Sequence, residues 1–520
     1  MTGLTAVLLL VVLATVVAVG AKHWRMPAPS LLVLVGVGIG LLPWVPAMHV
    51  PPRVISVMVL PPLLYASAES LSWRELRAVW RPVTVLAFGL VLATAAAVGA
   101  VASAITPLNG TMALVLGAIL ASTDPVAVTA LGRRLSLPPR VQVMVQAESL
   151  FNDATSLVLF KVAVGTAVAA GAVSPPSTIG RFLLLGGGGA LVGGAVAGVV
   201  ALIRRQTEDP VLETVIALVT PYAAYILAED LHASGVTAVV LAGVALGGRT
   251  RQRLTNAAIR LHIHAVYGTV VFLLESVVFA IIGLELPSLI RELARDEHGW
   301  PLGVLAVAGT VTGVRLMAVF PLAALIQRRR STGPISWRVP AVVSWAGTRG
   351  VVPLAAALSI PLTANNGTPL PHRPLVLVLT TGVVVLTLVL QGFTLAPVVR
   401  WSGIALEPEH AAREEAHAHA SLARAGLVRL EELADLEAAP VAVIDQLRRA
   451  LRARLDHPDA HKHPGSAVPE SVAAYRALRR MLIAAESAEL QRLYAANKIS
   501  DTTRRRIQRA LDLEDAGLGE

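Results

Sequence analysis

The 520-residue chain reads as an all-α polytopic membrane protein with about 13 transmembrane helices and a helical C-terminal tail. Three observations predict that class. Hydrophobic residues make up 55% of the chain and charged residues only 15%, with a mean hydropathy of +0.66, where soluble domains carry about a quarter charged residues. Apolar runs long enough for a bilayer recur up to residue 399 and then stop. Basic residues alternate between rich and poor in the loops that separate those runs.

A span needs about 20 mostly apolar residues, and fewer where the helix is broken inside the protein. Such runs lie near 4–21, 30–49, 54–72, 83–105, 111–131, 141–170, 181–203, 211–228, 234–248, 264–287, 301–326, 339–362 and 373–399. The first has no positive segment ahead of it, and Lys22 and Arg25 follow it. It therefore reads as a first span and not as a cleaved signal. Loops after odd-numbered runs hold 18 basic residues, among them Arg74, Arg77, Arg133, Arg134, Arg204, Arg205 and Arg328. Loops after even-numbered runs hold five, namely Arg53, Arg181, Arg291, Arg295 and Arg373. By the positive-inside rule, this alternation puts the N-terminus outside a cell membrane and the C-terminal tail in the cytoplasm.

Residues 1–399 form the transmembrane domain of this reading, with 26 Lys and Arg against 15 Asp and Glu. Residues 400–520 form the tail, with 18 against 19. The basic surplus sits in short loops between apolar runs, which argues against nucleic-acid binding. The chain has no cysteine, so disulfides, thiolate metal sites and a cysteine nucleophile are excluded. Gly186 to Gly189, Gly193, Gly194 and Gly198 lie within the seventh run. They predict a small-residue face that lets another helix come close.

In the tail, His410–Glu437, Val441–Leu455 and Ser471–Asn497 read as amphipathic helices. Ser500 or Asp501 caps a last one running to about Glu514. His457–Pro469 reads as a solvated loop, because its histidine spacing fits no standard metal site; a metal-binding or pH-sensing cluster is the alternative.

Ionisable side chains within the spans carry the functional argument, since each costs about 3 kcal/mol to insert. The richest segment is Glu148-Ser-Leu-Phe-Asn-Asp153. Helical spacing puts Ser149 and Asp153 on one face, and Glu148 and Asn152 on an adjacent stripe. A carboxylate at such depth can hold either a proton or a cation, in competition; the alternative is an aspartate hydrogen-bonded for packing. In Ala121-Ser-Thr-Asp124-Pro125, the proline predicts a break in the helix that frees carbonyls beside Thr123 and Asp124. The alternative there is a simple kink with Asp124 as its cap.

Ala346-Gly-Thr-Arg349-Gly-Val-Val-Pro353 predicts a second broken helix. Arg349 needs a carboxylate in hydrocarbon, and Glu148 is the expected partner. Glu275 and Arg315 are expected to be members of a structural ion pair, with a gating role as the alternative. Glu69 is either interfacial or part of an ion pathway, and Lys161 either snorkels or pairs.

Taken together, Leu60-Pro-Pro-Leu-Leu-Tyr65, Ser122-Thr-Asp-Pro-Val126, Glu148 to Asp153, Glu275 through Phe279 to Gly283, and Gly347 to Pro353 resemble the monovalent cation:proton antiporter family, in its bacterial sodium/proton exchanger branch. The resemblance covers residues 1–399. It implies two inverted six-helix repeats, a core of crossed broken helices, and a homodimer. It makes Asp153 the ion- and proton-binding aspartate. Na⁺ would sit at Asp153, Asp124, Thr123 and Ser149, while Glu148 and Arg349 would form a structural pair. The Asn152-Asp153 sequence resembles the electroneutral type, which exchanges one proton for one cation.

One departure is that Ala66 stands where many relatives place an acidic residue, with Glu69 three positions on. The resemblance implies Na⁺ or Li⁺ exchange for H⁺ in pH homeostasis, with no cofactor. Partners would be monovalent cations, protons and membrane lipid. The competing readings are K⁺/H⁺ exchange, a cation channel, an intramembrane aspartyl protease using Asp124 and Asp153, and a membrane sensor. No carbonyl-filter sequence supports the channel.

Overall fold

The computed structural model describes residues 3–23, 26–43, 55–71, 73–124, 139–169, 175–207, 209–253, 257–293, 299–330, 337–365, 367–404, 408–436, 441–456 and 469–518. Its helices are α1 (Gly3–His23), α2 (Ala28–Gly40), α3 (Leu60–Ser70), α4 (Trp73–Thr84), α5 (Val91–Ile105), α6 (Gly110–Leu120), α7 (Pro139–Val168), α8 (Pro175–Ile203), α9 (Pro210–Asp230), α10 (Gly235–Arg253), α11 (Ala257–Glu292), α12 (Trp300–Arg330), α13 (Arg338–Trp345), α14 (Val351–Leu358) and α15 (Arg373–Ser402). The tail holds α16 (Pro408–Leu436), α17 (Val441–Asp456), α18 (Pro469–Ala495) and α19 (Asp501–Gly517). Short π-helical turns at Ile55–Val59 and Val85–Leu90 lead into α3 and α5.

Hydrocarbon offers no partner to a backbone amide, so helices, which satisfy their own, are the expected solution. Seven are long and apolar enough to cross a membrane, from Leu76–Ile105 through Val141–Val168 to Arg373–Ser402, and four shorter apolar helices accompany them. Two apolar runs break, as their glycines and prolines predict. The run at 111–131 leaves helix after Leu120, and Ser122–Asp124 are non-helical. The run at 339–362 divides into α13 and α14 around residues 347–350. Pro125 and Val126 lie outside the described residues, as do Arg25, Arg53, Arg133, Arg134, Arg295 and all of the histidine-rich loop except Pro469.

Two compact units emerge. The first comprises Met1–Thr207, Leu212–Arg253 and Val266–Ala405. Close helix contact inside it depends on glycine. A Cβ on Gly189 or Gly193 of α8 would strike the carbonyl of Ser234 or Ala238 at the start of α10, whereas Gly186, Gly187, Gly194 and Gly198 face open space. The predicted small-residue face therefore narrows to Gly189 and Gly193, four apart, with Gly188 close beside the Ala233 side chain. On its other side α10 meets α3, where Gly247 lies against the Glu69 carbonyl. Elsewhere, Asn109 caps α6 by accepting the Met112 amide at 2.9 Å, and the Ser30 hydroxyl joins α2 to the Leu388 carbonyl of α15 at 2.7 Å.

The second unit comprises Glu208–Val211, Leu254–Ala265 and Leu406–Glu520. The sequence division at 399/400 thus falls a few residues before the one between compact units. Its amphipathic helices bury two apolar clusters, one around Leu422, Leu490 and Ile507, the other around Leu430, Leu447 and Leu482. Ser500 caps α19 through the Thr503 amide at 3.2 Å. Arg479 lies buried between Glu486 at 3.1 Å and Glu514 at 2.7 Å. Burial alone would lower that guanidinium's pKa; the two carboxylates outweigh it and hold the pKa above the usual arginine range.

Candidate functional site

The two breaks face each other. The Asp124 amide donates to the Thr348 carbonyl at 2.8 Å, and the Thr348 hydroxyl donates back to the Asp124 carbonyl at 2.8 Å. Backbone groups that the broken helices leave open are thus satisfied across the gap. Gly350 permits the approach, because a Cβ there would overlap the Asp124 carboxylate.

Beside this crossing runs α7. Its Asp153 is 5% exposed and accepts the Ser122 hydroxyl on Oδ1 at 2.7 Å. Ser149, one turn earlier, donates to the Thr123 carbonyl. Asn152 donates through Nδ2 to Thr123 Oγ1 at 3.3 Å and to Glu148 Oε1 at 2.8 Å. The non-helical stretch of residues 122–124 is therefore pinned along two faces of α7.

A cavity opens at the crossing. It is lined on one side by Ser122, Thr123, Asp124, Asp153 and Gly350 to Pro353, and on the other by Leu60, Leu63, Leu64 and Ser67 of α3 and Glu275 of α11. About 50 Å³ of it is open to the centres of water molecules, room for a few waters or one partly dehydrated monovalent cation. Oxygen donors of this kind, carboxylate, hydroxyl and carbonyl, suit a hard cation.

Asp153, Asp124 and Thr123 thus meet at one cavity, as the sequence predicts. Ser149 and Asn152, expected to bind the ion, are not among the lining residues; they hold Thr123 in place from behind through hydrogen bonds. Other expectations also need correction. Glu148 does not pair with Arg349: its two oxygens take Arg315 Nη1 and Nη2, each at 2.6 Å. The reason lies at Gly347, where a Cβ would come within 2.5 Å of Arg315 Cδ. Without a side chain there, Arg315 passes alongside the break and reaches α7. Arg349 turns to carbonyls instead, donating through Nε to Leu120 at 2.8 Å and through Nη1 to Gly347. Leu120 ends α6, so this guanidinium sits where the orphan carbonyls and negative dipole end of a broken helix need a cation.

Glu275, accordingly, is not the partner of Arg315; it lines the cavity. Glu69 is not among the lining residues, because α3 turns Leu60, Leu63, Leu64 and Ser67 to the cavity and the Glu69 backbone to α10. Sequence reasoning misses Ser122 and Thr348 as site residues. Both fall in non-helical stretches, where no periodicity says which way a side chain points. Their only signal is a small hydroxyl beside a predicted break.

The family described as "Sodium/hydrogen exchanger, transmembrane" matches residues 7–401. A protein called an uncharacterized Na⁺/H⁺ exchanger, from Mycobacterium tuberculosis, is 34% identical over 99% of this chain and 96% of its own length. The Na⁺/H⁺ antiporter ApNhaP of Aphanothece halophytica is 31% identical over 75% of this chain and 72% of its own. Among solved structures, the sodium proton antiporter MjNhaP1 of Methanocaldococcus jannaschii aligns with a TM-score of 0.64 at 22% identity, covering 76% of this chain and 97% of that one.

Proposed function

The chain belongs to the transmembrane sodium/hydrogen exchanger family, and from that premise we propose that it exchanges Na⁺ or Li⁺ for H⁺, one for one, by alternating access at Asp153. It is a multi-pass membrane protein and a secondary transporter that carries out cation/proton antiport; its family leaves no place for the aspartyl-protease reading.

One observation carries the finer proposal. Asp153 lines the cavity while the two buried guanidiniums nearby are engaged elsewhere, Arg315 by Glu148 and Arg349 by carbonyls. The aspartate's charge is therefore available to a cation or a proton, and the two compete for it. Asp124, the Thr123 groups and the Ser122 hydroxyl supply oxygens that replace hydration. Ser149 and Asn152 keep those oxygens in register.

A single titrating carboxylate carries one positive charge in each direction, which makes the cycle electroneutral. The crossing and α7 move against the helices on the far wall of the cavity, α3 and α11. The protein works as a homodimer with its N-terminus outside and its tail, a regulatory unit, in the cytoplasm. Energy comes from the ion gradients, with no cofactor.

The test is purified protein in proteoliposomes carrying an internal pH dye. Addition of Na⁺, Li⁺ or K⁺ is followed with the membrane potential free and then clamped. Dissipation of a pH gradient by Na⁺ and Li⁺ at the same rate under both conditions is expected. A rate that follows the potential would refute one-for-one exchange. A response to K⁺ alone would replace the sodium assignment, and no response to any of the three would favour a sensor.

A further inference from the structure

Helix α7 carries Asp153 midway between two polar links to helices outside its own broken-helix crossing. Seven residues before Asp153, roughly 10 Å along the helix, Gln146 donates through Nε2 to the Ser70 hydroxyl and, at 3.4 Å, to the Ser67 carbonyl of α3. Eight residues after it, roughly 12 Å in the other direction, Lys161 Nζ meets Glu229 Oε1 of α9 at 2.5 Å. Of the two readings the sequence allows for Lys161, snorkelling and pairing, the structure has the pair.

We propose that Lys161 and Glu229 form a latch that holds the conformation seen here and must open in each transport cycle. The inference rests on the antiport reading, in which α7 moves with the crossing against α3; α9 goes with α3, because it leads directly into α10, which packs along α3.

Three features distinguish a latch from a static brace. The first is exposure. The Lys161 and Glu229 side chains are 32% and 34% exposed at the protein surface, and Glu229 stands next to the end of α9, so each has room to swing away as they separate. The Glu148–Arg315 pair, with side chains 0% and 2% exposed, has no such exit and moves as a fixed part of its surroundings.

The second feature is a remaining partner. Glu229 Oε1 also accepts the Gly235 amide at 3.0 Å, the first amide of α10. When Lys161 leaves, the carboxylate stays hydrogen-bonded at a helix N-terminus, where negative charge is favoured. The third is placement. Helix α7 packs along α4, α6, α8 and α10, and α9 is not one of its main packing neighbours. The pair is thus a long-side-chain bridge between helices, and its loss leaves the apolar packing of α7 intact.

The chain's lack of cysteine makes the test direct. Lys161→Cys and Glu229→Cys are combined, and the purified full-length protein is treated with a short bis-methanethiosulfonate, whose cross-link reduction removes. Before cross-linking, the double variant should exchange cations for protons within a few-fold of the unsubstituted protein. Cross-linked, it should lose at least nine-tenths of that rate, and reduction should restore it; a monofunctional reagent should have little effect. An undiminished rate in fully cross-linked protein would overturn the latch while leaving the antiport reading intact. Absence of exchange in the unsubstituted protein would overturn both.

A second variant covers failure of the double substitution to fold. In Lys161→Met, the ratio of initial rates under equal and opposite gradients should shift at least threefold, because one conformation has lost its latch. An unchanged ratio would contradict the proposal.

Discussion

The Glu148 carboxylate grips the Arg315 guanidinium through two parallel bonds of 2.6 Å, although the residues lie 167 positions apart in the chain. Removing one member of a sealed pair strands the other charge, at a cost of about 3–5 kcal/mol. Arg315→Gln and Glu148→Gln should each destabilise the purified protein by that order. The double substitution should cost clearly less than the sum of the two. Thermal unfolding in detergent measures the cycle, and the matching cycle for Glu148 with Arg349 should give much weaker coupling.

The contact of α8 with α10 makes a prediction that discriminates between adjacent glycines. Gly193 meets the Ala238 backbone and Gly194 meets nothing within 4 Å. Overpacking costs about 1–3 kcal/mol or more where the backbone must move. Gly193→Leu should lower the unfolding temperature by several degrees, while Gly194→Leu should leave it nearly unchanged. Equal effects would show that the two helices do not meet along this line.

Ser122 supplies a hydrogen bond to the Asp153 carboxylate. Bonds to charged groups contribute about 1.5–3 kcal/mol, and this one favours the ionised carboxylate that the proposed mechanism offers to the cation over the protonated one, so its loss should weaken apparent cation binding by roughly tenfold or more. Ser122→Ala should raise the apparent KM for the cation by that factor, with a smaller effect on maximal rate. Cation titration of the proton flux in proteoliposomes measures both.

In the proposed mechanism, competition at Asp153 sets the sign of the pH dependence. A proton there would block the cation, so apparent KM should rise as pH falls, by up to about tenfold per pH unit once the protonated form dominates. Maximal rate at saturating cation should fall far less over the same range. Initial rates across a grid of pH and cation concentration check this. An apparent KM independent of pH would mean that proton and cation use separate groups.

Much of this architecture is legible in the sequence, for definite reasons. Apolar run length places the helices, and glycine and proline mark the breaks at 122–124 and 347–350, because both act on local backbone. Asp153, Asp124 and Thr123 can be grouped from the sequence because each lies in or beside a span, where a charge or a broken helix is costly and therefore marks a site. Assigning partners across long separations is what fails. Two arginines, Arg315 and Arg349, are plausible mates for Glu148, and nothing local tells them apart. The choice is made by Gly347, whose missing side chain lets Arg315 through, and by the carbonyls at the end of α6 that draw Arg349 away. Glu275 is misassigned for the same reason, since its role follows from the helix across the cavity.

The most direct test of the central claim replaces Asp153 with Asn, which keeps size and hydrogen bonding but removes the charge and the titration. Proteoliposomes with wild-type and Asp153→Asn protein, matched for amount and orientation, are compared for Na⁺-driven proton movement at clamped potential. The account predicts robust exchange in the wild type and at least a hundredfold loss in the variant, about 2.7 kcal/mol or more, with folding unchanged. Exchange of similar rate in Asp153→Asn would show that another group carries the ion and the proton, and would contradict the mechanism.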